Sequence, residues 1–199
     1  MTYDYENEFK TQGFSLICGI DEAGRGPLAG PVFAAAVILP DGLEDIGLND
    51  SKKLTEKKRD VLFDLIKEKA VTYGIGSASE KEIDEINILN ATFLAMKRAV
   101  EALGVTPDLA LVDGNRKPKT GIMEETIVKG DAKCISIAAA SVLAKVSRDR
   151  YLMELDKQYP EYQFAKHKGY PTALHYELIK KYGVSPVHRL SFLKNLDEK

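Results

Sequence analysis

Two adjacent carboxylates, Asp21 and Glu22, head a stretch that places three glycines, two prolines and an arginine within ten residues of them. Residues 14–20 are apolar and read as a buried strand, so the acids fall where that strand ends and Gly24, Gly26 and Gly30 let the backbone turn. A turn so rich in glycine and proline costs conformational entropy that an ordinary surface loop need not spend. Two more acids occupy similar positions. Asp113 ends the apolar run 109–112 beside Gly114, and Asp131 follows residues 126–128 beside Gly130. In α/β sheets the carboxyl ends of neighbouring strands converge on one crevice, so the economical expectation is a cluster of four carboxylates. Such a cluster must shift its pKa values or bind cations. Oxygen ligands of this kind suit Mg²⁺ or Mn²⁺, and a pair of such ions is the usual device for in-line phosphodiester cleavage.

Other chemistries fit less well. No His or Cys pair has zinc-ligand spacing. A glycosidase also uses two carboxylates but lines its cleft with aromatics, and this chain has no tryptophan. The run from Gly24 to Gly30 resembles a phosphate cradle, yet no Gly-Lys-Ser/Thr closes it. Cys18 and Cys134 stand in unrelated contexts and suit a reducing compartment, free and packed.

The elements that must position these acids follow from periodicity. Residues 31–39 read as a second buried strand forming a hairpin with the first, closed beyond by the turn Pro40-Asp41-Gly42. Thr55 is a candidate N-cap for an amphipathic helix, and residues 71–77 return to strand character. A helix over 86–103 ends at Gly104, and a long helix over about 134–155 begins with Ala138-Ala139-Ala140, small enough to lie close against a sheet. Pro171 suits the first position of a last helix, with Lys180-Lys181 in its final turn and Gly183 as its cap. The expectation is an α/β protein: a mixed β-sheet flanked by helices with a C-terminal helical segment. One domain over 1–199 follows, with a catalytic core at about 14–155 and the helical segment at about 156–199.

A chain of 199 residues, 44% hydrophobic and 29% charged, has the composition of a soluble globular protein. Its first residues are acidic and polar, unlike a secretory signal, and its longest apolar run falls far short of the roughly 20 residues that span a bilayer. The sequence therefore predicts a cytoplasmic protein without a membrane partner, and a monomer. The net charge of −2 argues superficially against a polyanionic partner. Basic residues nevertheless cluster at Lys52-Lys53, Lys57-Lys58-Arg59, Arg116-Lys117, Lys145 with Arg148 and Arg150, and Lys180-Lys181, and cations bound to four carboxylates would turn the balance positive.

Taken together, several motifs make the chain resemble the type 2 ribonucleases H, and within them the ribonuclease HII branch. They are Gly-Ile-Asp-Glu-Ala-Gly-Arg-Gly-Pro at 19–27, Asp-Ser-Lys-Lys-Leu at 50–54, Asn-Ile-Leu-Asn-Ala-Thr at 87–92, Val-Asp-Gly at 112–114 and Lys-Gly-Asp at 129–131. The series continues through Ser-Ile-Ala-Ala-Ala-Ser-Val-Leu-Ala-Lys-Val at 136–146, Arg-Asp at 148–149, His-Lys-Gly-Tyr at 167–170 and a terminal Val-His-Arg with Ser-Phe, so the likeness runs from about residue 14 to 192.

The resemblance implies a ribonuclease H-like fold and cleavage of RNA in RNA–DNA hybrids, with incision at single ribonucleotides in duplex DNA. It implies that Asp21, Glu22, Asp113 and Asp131 hold Mn²⁺ or Mg²⁺, two ions with substrate bound, giving 5′-phosphate and 3′-hydroxyl ends. Gly24, Arg25 and Gly26 match a ribose-sensing loop, where bare backbone can approach the 2′-OH that separates RNA from DNA. Tyr170 matches a tyrosine that packs on the sugar, and Lys52 and Lys53 read as phosphate contacts. His167, His175 and His188 read as structural or capping groups, Lys145 and Arg148 as members of a structural ion pair, and Asn90 and Asn115 as orienting residues. The sister ribonuclease HIII carries an extra N-terminal domain, whereas about thirteen residues precede the first strand here. A hybrid-binding module without catalysis would lack one of the four acids, and all four are filled.

Overall fold

A computed structural model describes residues 2–43, 46–48 and 54–194. Its centre is a five-stranded sheet of β1 (Ile17–Ala23), β2 (Val32–Ile38), β3 (Thr72–Ala78), β4 (Leu109–Asp113) and β5 (Met123–Ile127), in the order β3-β2-β1-β4-β5. β2 runs antiparallel to both β1 and β3, whereas β1, β4 and β5 are parallel, so the sheet is mixed. The parallel half brings the carboxyl ends of β1, β4 and β5 to one edge.

Helices cover both faces: α1 (Asp4–Thr11), α2 (Glu56–Lys69), α3 (Glu80–Glu101), α4 (Ile135–Gln158), α5 (Phe164–His167) and α6 (Ala173–Tyr182). Strand alternation assigns the faces. Cys18, Ile20, Ala34, Ala36 and Val112 pack with Ala91, Ala95 and Ala99 of α3, while Ala35 and Val37 pack with α2 and with Ala139, Ala140 and Leu143 of α4. Close approach depends on small residues. A Cβ on Gly19 would lie 2.1 Å from the Ser136 carbonyl carbon, and one on Gly74 would lie 2.0 Å from the Ala99 carbonyl oxygen. The Ala138-Ala139-Ala140 run sits against the sheet as its composition predicts.

Several boundaries differ from expectation. β1 runs through the acids to Ala23 instead of ending before them, because Asp21 and Glu22 pair with Ala35 and Ala34 of β2. Helix α1 is short and largely polar; Tyr5 and Phe9 pack against the core, and buried Glu6 anchors it by accepting the Ser136 N–H at 3.0 Å at the start of α4. α3 starts early, under a Ser79/Glu82 capping box, then breaks at Asn87 (φ 67°), whose Oδ1 recaps the helix by accepting the Leu89 and Asn90 N–H groups. Thr172, not Pro171, opens α6, its hydroxyl accepting the His175 N–H. The C-terminal segment shares a core with the 24–31 loop and α4, built from Leu28, Ala29, Leu152, Leu155, Phe164 and Ile179.

Candidate active site

Asp21 and Glu22 are consecutive in a strand, so they leave it on opposite faces. Asp21 is buried on the α4 side, where it takes a hydrogen bond from Ser141 and accepts the Glu22 N–H at 2.7 Å. Glu22 lines a cavity of about 240 Å³ with Arg25, Asp113, Asn115 and Arg116, walled on its apolar side by Leu89, Phe93 and Met96. Asp113 ends β4 one residue beyond the Ile20–Val112 pairing, which puts it beside Asp21. Its Oδ1 accepts the Gly130 N–H at 2.7 Å and the Asp131 N–H at 3.4 Å. The tight helical turn Gly130–Ala132, entered through left-handed Lys129, thereby seats buried Asp131 next to β4.

Burial first, then the negative charges of Glu22 and Asp113, push the Asp21 carboxyl well above the usual carboxylate range. That mutual repulsion is the observation that fits a hard divalent cation, which would relieve it with oxygen ligands alone. Among the described residues no group of three or more His, Cys, Asp or Glu side chains is drawn together closely enough to hold a metal ion as it stands, so the expected cluster of four carboxylates is not assembled here.

The glycine-rich loop stands directly beyond β1. Gly24 has φ +96°, and a Cβ there would fall 2.1 Å from the Arg148 Nε. Leu28 donates to the Gly169 carbonyl at 2.7 Å and Gly30 to the Val187 carbonyl at 2.9 Å, so the loop is tied to two C-terminal segments. Half-exposed Tyr170 results from that tie: its ring lies 3.9 Å from where a Gly26 Cβ would be, with the Arg148 guanidinium 5.7 Å from the ring centre. Arg25 extends outward and reaches Glu22 at 3.4 Å. Lys52 and Lys53 lie outside the described residues.

Other sequence candidates take different places. Lys145 pairs with Asp149 at 2.8 Å on α4, whereas Arg148 leaves that pair and is fully buried, donating to the carbonyls of Ala29, Pro31 and Lys168. Asn90 turns back to the Ile86 carbonyl, while Asn115 lines the cavity. The three histidines form one buried cluster around Phe164, whose ring meets His167 and His175 edge-on, while His167 stacks on His175. Arg189 escaped sequence reasoning. It is fully buried and holds the carbonyls of Gly24, Arg25 and Gly30, and the only sequence signal for it was an arginine within Val-His-Arg.

The family model described as Ribonuclease HII matches residues 18–195. A ribonuclease HII of Acetivibrio thermocellus is 61% identical over 191 residues, spanning 96% of this chain and 75% of that protein. One from Caldicellulosiruptor bescii is 54% identical over 194 residues, spanning 98% and 94%. Among solved structures, ribonuclease H2 from Pyrococcus horikoshii superposes with a TM-score of 0.77 at 30% identity, over 92% of this chain and 98% of that one.

Proposed function

The chain belongs to the ribonuclease HII family, and on that premise we propose an endonuclease that cuts the RNA strand of RNA–DNA hybrids and incises duplex DNA at single ribonucleotides. One observation carries the reading: an acid-lined cavity and the Gly24–Gly26 loop with Tyr170 adjoin at the end of one strand, joining cleavage chemistry to a test for ribose. Asp21, Glu22, Asp113 and Asp131 are the proposed holders of two Mg²⁺ or Mn²⁺ ions. When bound, such ions would supply Lewis acidity for phosphodiester hydrolysis, with 5′-phosphate and 3′-hydroxyl products.

The chain's own residues do the rest. Asp113 accepts the Gly130 and Asp131 amides, so the turn carrying Asp131 moves with β4. Gly24 must be bare because a side chain there would strike buried Arg148, whereas bare backbone at Gly26 leaves room for the ribose beside the Tyr170 ring, which offers the sugar a flat apolar wall. Arg116 at the cavity mouth and Lys52 and Lys53 are proposed phosphate contacts. Residues 1–199 are proposed to act as one domain and a cytoplasmic monomer; among the described residues no helix is long and apolar enough to cross a membrane. The test is cleavage of a DNA duplex bearing one ribonucleotide against all-DNA and hybrid controls, with product ends assigned. Cleavage of the all-DNA duplex, or activity without divalent ions, overturns the reading.

A further inference from the structure

Two arginines that do not line the acid-bearing cavity are buried completely, and each gives its hydrogen bonds to backbone carbonyls. Arg189 donates to Gly24 O at 2.7 Å, Arg25 O at 3.1 Å and Gly30 O at 2.8 Å. Arg148 donates to Ala29 O at 3.2 Å, Pro31 O at 3.3 Å and Lys168 O at 3.1 Å, and its guanidinium faces the Tyr170 ring. Burying two guanidiniums is expensive, and well-packed apolar residues of like volume are often as stable or more so. Burial indeed pulls the Arg189 guanidinium down to about 9 and lowers that of Arg148. Such an arrangement buys something other than stability.

The geometry shows what that is. In a trans peptide the carbonyl of one residue and the N–H of the next point in opposite directions, and the chain has no cis peptide among the described residues. Drawing the Gly24 and Arg25 carbonyls inward onto Arg189 therefore turns the N–H groups of Arg25 and Gly26 outward. Among the described residues neither N–H is taken by a protein acceptor. Arg148 meanwhile ties the far end of the same loop to the segment that carries Tyr170. Five arginine–loop hydrogen bonds thus fix both the direction of the loop's free donors and their distance from the ring.

We propose that Arg148 and Arg189 are positioning residues for ribose selection: a two-guanidinium clamp that aims the Arg25 and Gly26 amides at the 2′-OH and holds Tyr170 opposite them. This rests on the substrate reading above. The test measures affinity for a DNA duplex with one ribonucleotide and for the same duplex all-deoxy, in Ca²⁺, which takes carboxylate oxygens in looser geometry. Wild type, R189K and R148K are compared, each first checked for an unchanged circular dichroism spectrum.

The expected result is a preference for the ribonucleotide reduced at least about tenfold in both variants, since misplacement on the order of 1 Å is costly, with all-DNA affinity within about twofold of wild type. R189A should regain part of the preference when guanidinium ion is added at millimolar concentration. Equal loss on both duplexes, or full preference retained in R189K and R148K, overturns the clamp. If wild type itself shows no preference, the ribose-sensing reading fails and the clamp fails with it.

Discussion

At the scale of single residues, Asp113 does two jobs that substitution can separate. Its Oδ1 receives the Gly130 and Asp131 amides, and its charge raises the Asp21 carboxyl. Asn keeps an acceptor oxygen but loses the charge, whereas Ala orphans the amides. Asp113→Asn is expected to lower cleavage by at least about 100-fold with little change in melting temperature, because charge stabilisation at such sites is worth several kcal/mol. Asp113→Ala should be equally inactive and in addition less stable by about 1–3 kcal/mol. Assays of cleavage and thermal unfolding on the two variants check this; an active Asp113→Asn enzyme removes Asp113 from the proposed metal site. Tyr170 separates along a different line. Tyr170→Ala should impair incision at a lone ribonucleotide more than it weakens duplex binding, and Tyr170→Phe should restore it, because the contact proposed for the sugar is the ring's and not the hydroxyl's. Equal falls in rate and binding would reduce Tyr170 to a structural role.

At the scale of elements, the strands and long helices were legible because their packing is simple. β1 and β2 are nearly continuous apolar runs since both faces are covered, and Thr55 caps α2 as its position suggests, accepting the Lys58 N–H. What the sequence hid depended on distant partners. Glu6 holds α1 onto the start of α4, Asn87 breaks and recaps α3, and Thr172 outranks Pro171 because a hydroxyl can satisfy an amide that proline's ring cannot. The opposite departures of Asp21 and Glu22 were equally invisible until pairing carried β1 to Ala23. Gly19 is the element-scale test of this packing. Gly19→Ala brings a methyl to 2.1 Å from the Ser136 carbonyl carbon, where backbone cannot yield cheaply. Urea denaturation should show a loss of about 1–3 kcal/mol or more, the cost of overpacking. An unchanged midpoint would mean that α4 can lift from the sheet at no cost.

Across the whole molecule, the C-terminal segment that holds the loop is itself held together by hydrogen bonds that work in only one protonation state. The Ser185 N–H donates to His188 Nδ1 at 2.9 Å, which leaves His188 Nε2 to donate to His175 Nε2 at 3.1 Å. His175 Nδ1 then donates to the Tyr170 carbonyl at 3.0 Å, and His167 accepts the Gly169 N–H while donating to the Tyr162 carbonyl. A proton added to His175 or His188 puts N–H against N–H and ends the relay. Both rings are buried, and desolvation holds each down to about 4. In the unfolded chain they titrate near 6.5, so between these values the unfolded state binds more protons. The stability they contribute is therefore fully present above pH 6.5 and is lost as pH falls toward 4. Asp21, with its carboxyl raised, contributes with the opposite sign, present at low pH and lost as pH rises. An Asp21→Asn background removes that opposing effect. There, urea midpoints should decline from pH 7 to pH 4.5, and the His175 and His188 imidazole resonances should titrate well below 6. A flat midpoint, or imidazoles that titrate near 6.5, would mean that these rings reach water and that the internal order of the C-terminal segment does not depend on their neutrality.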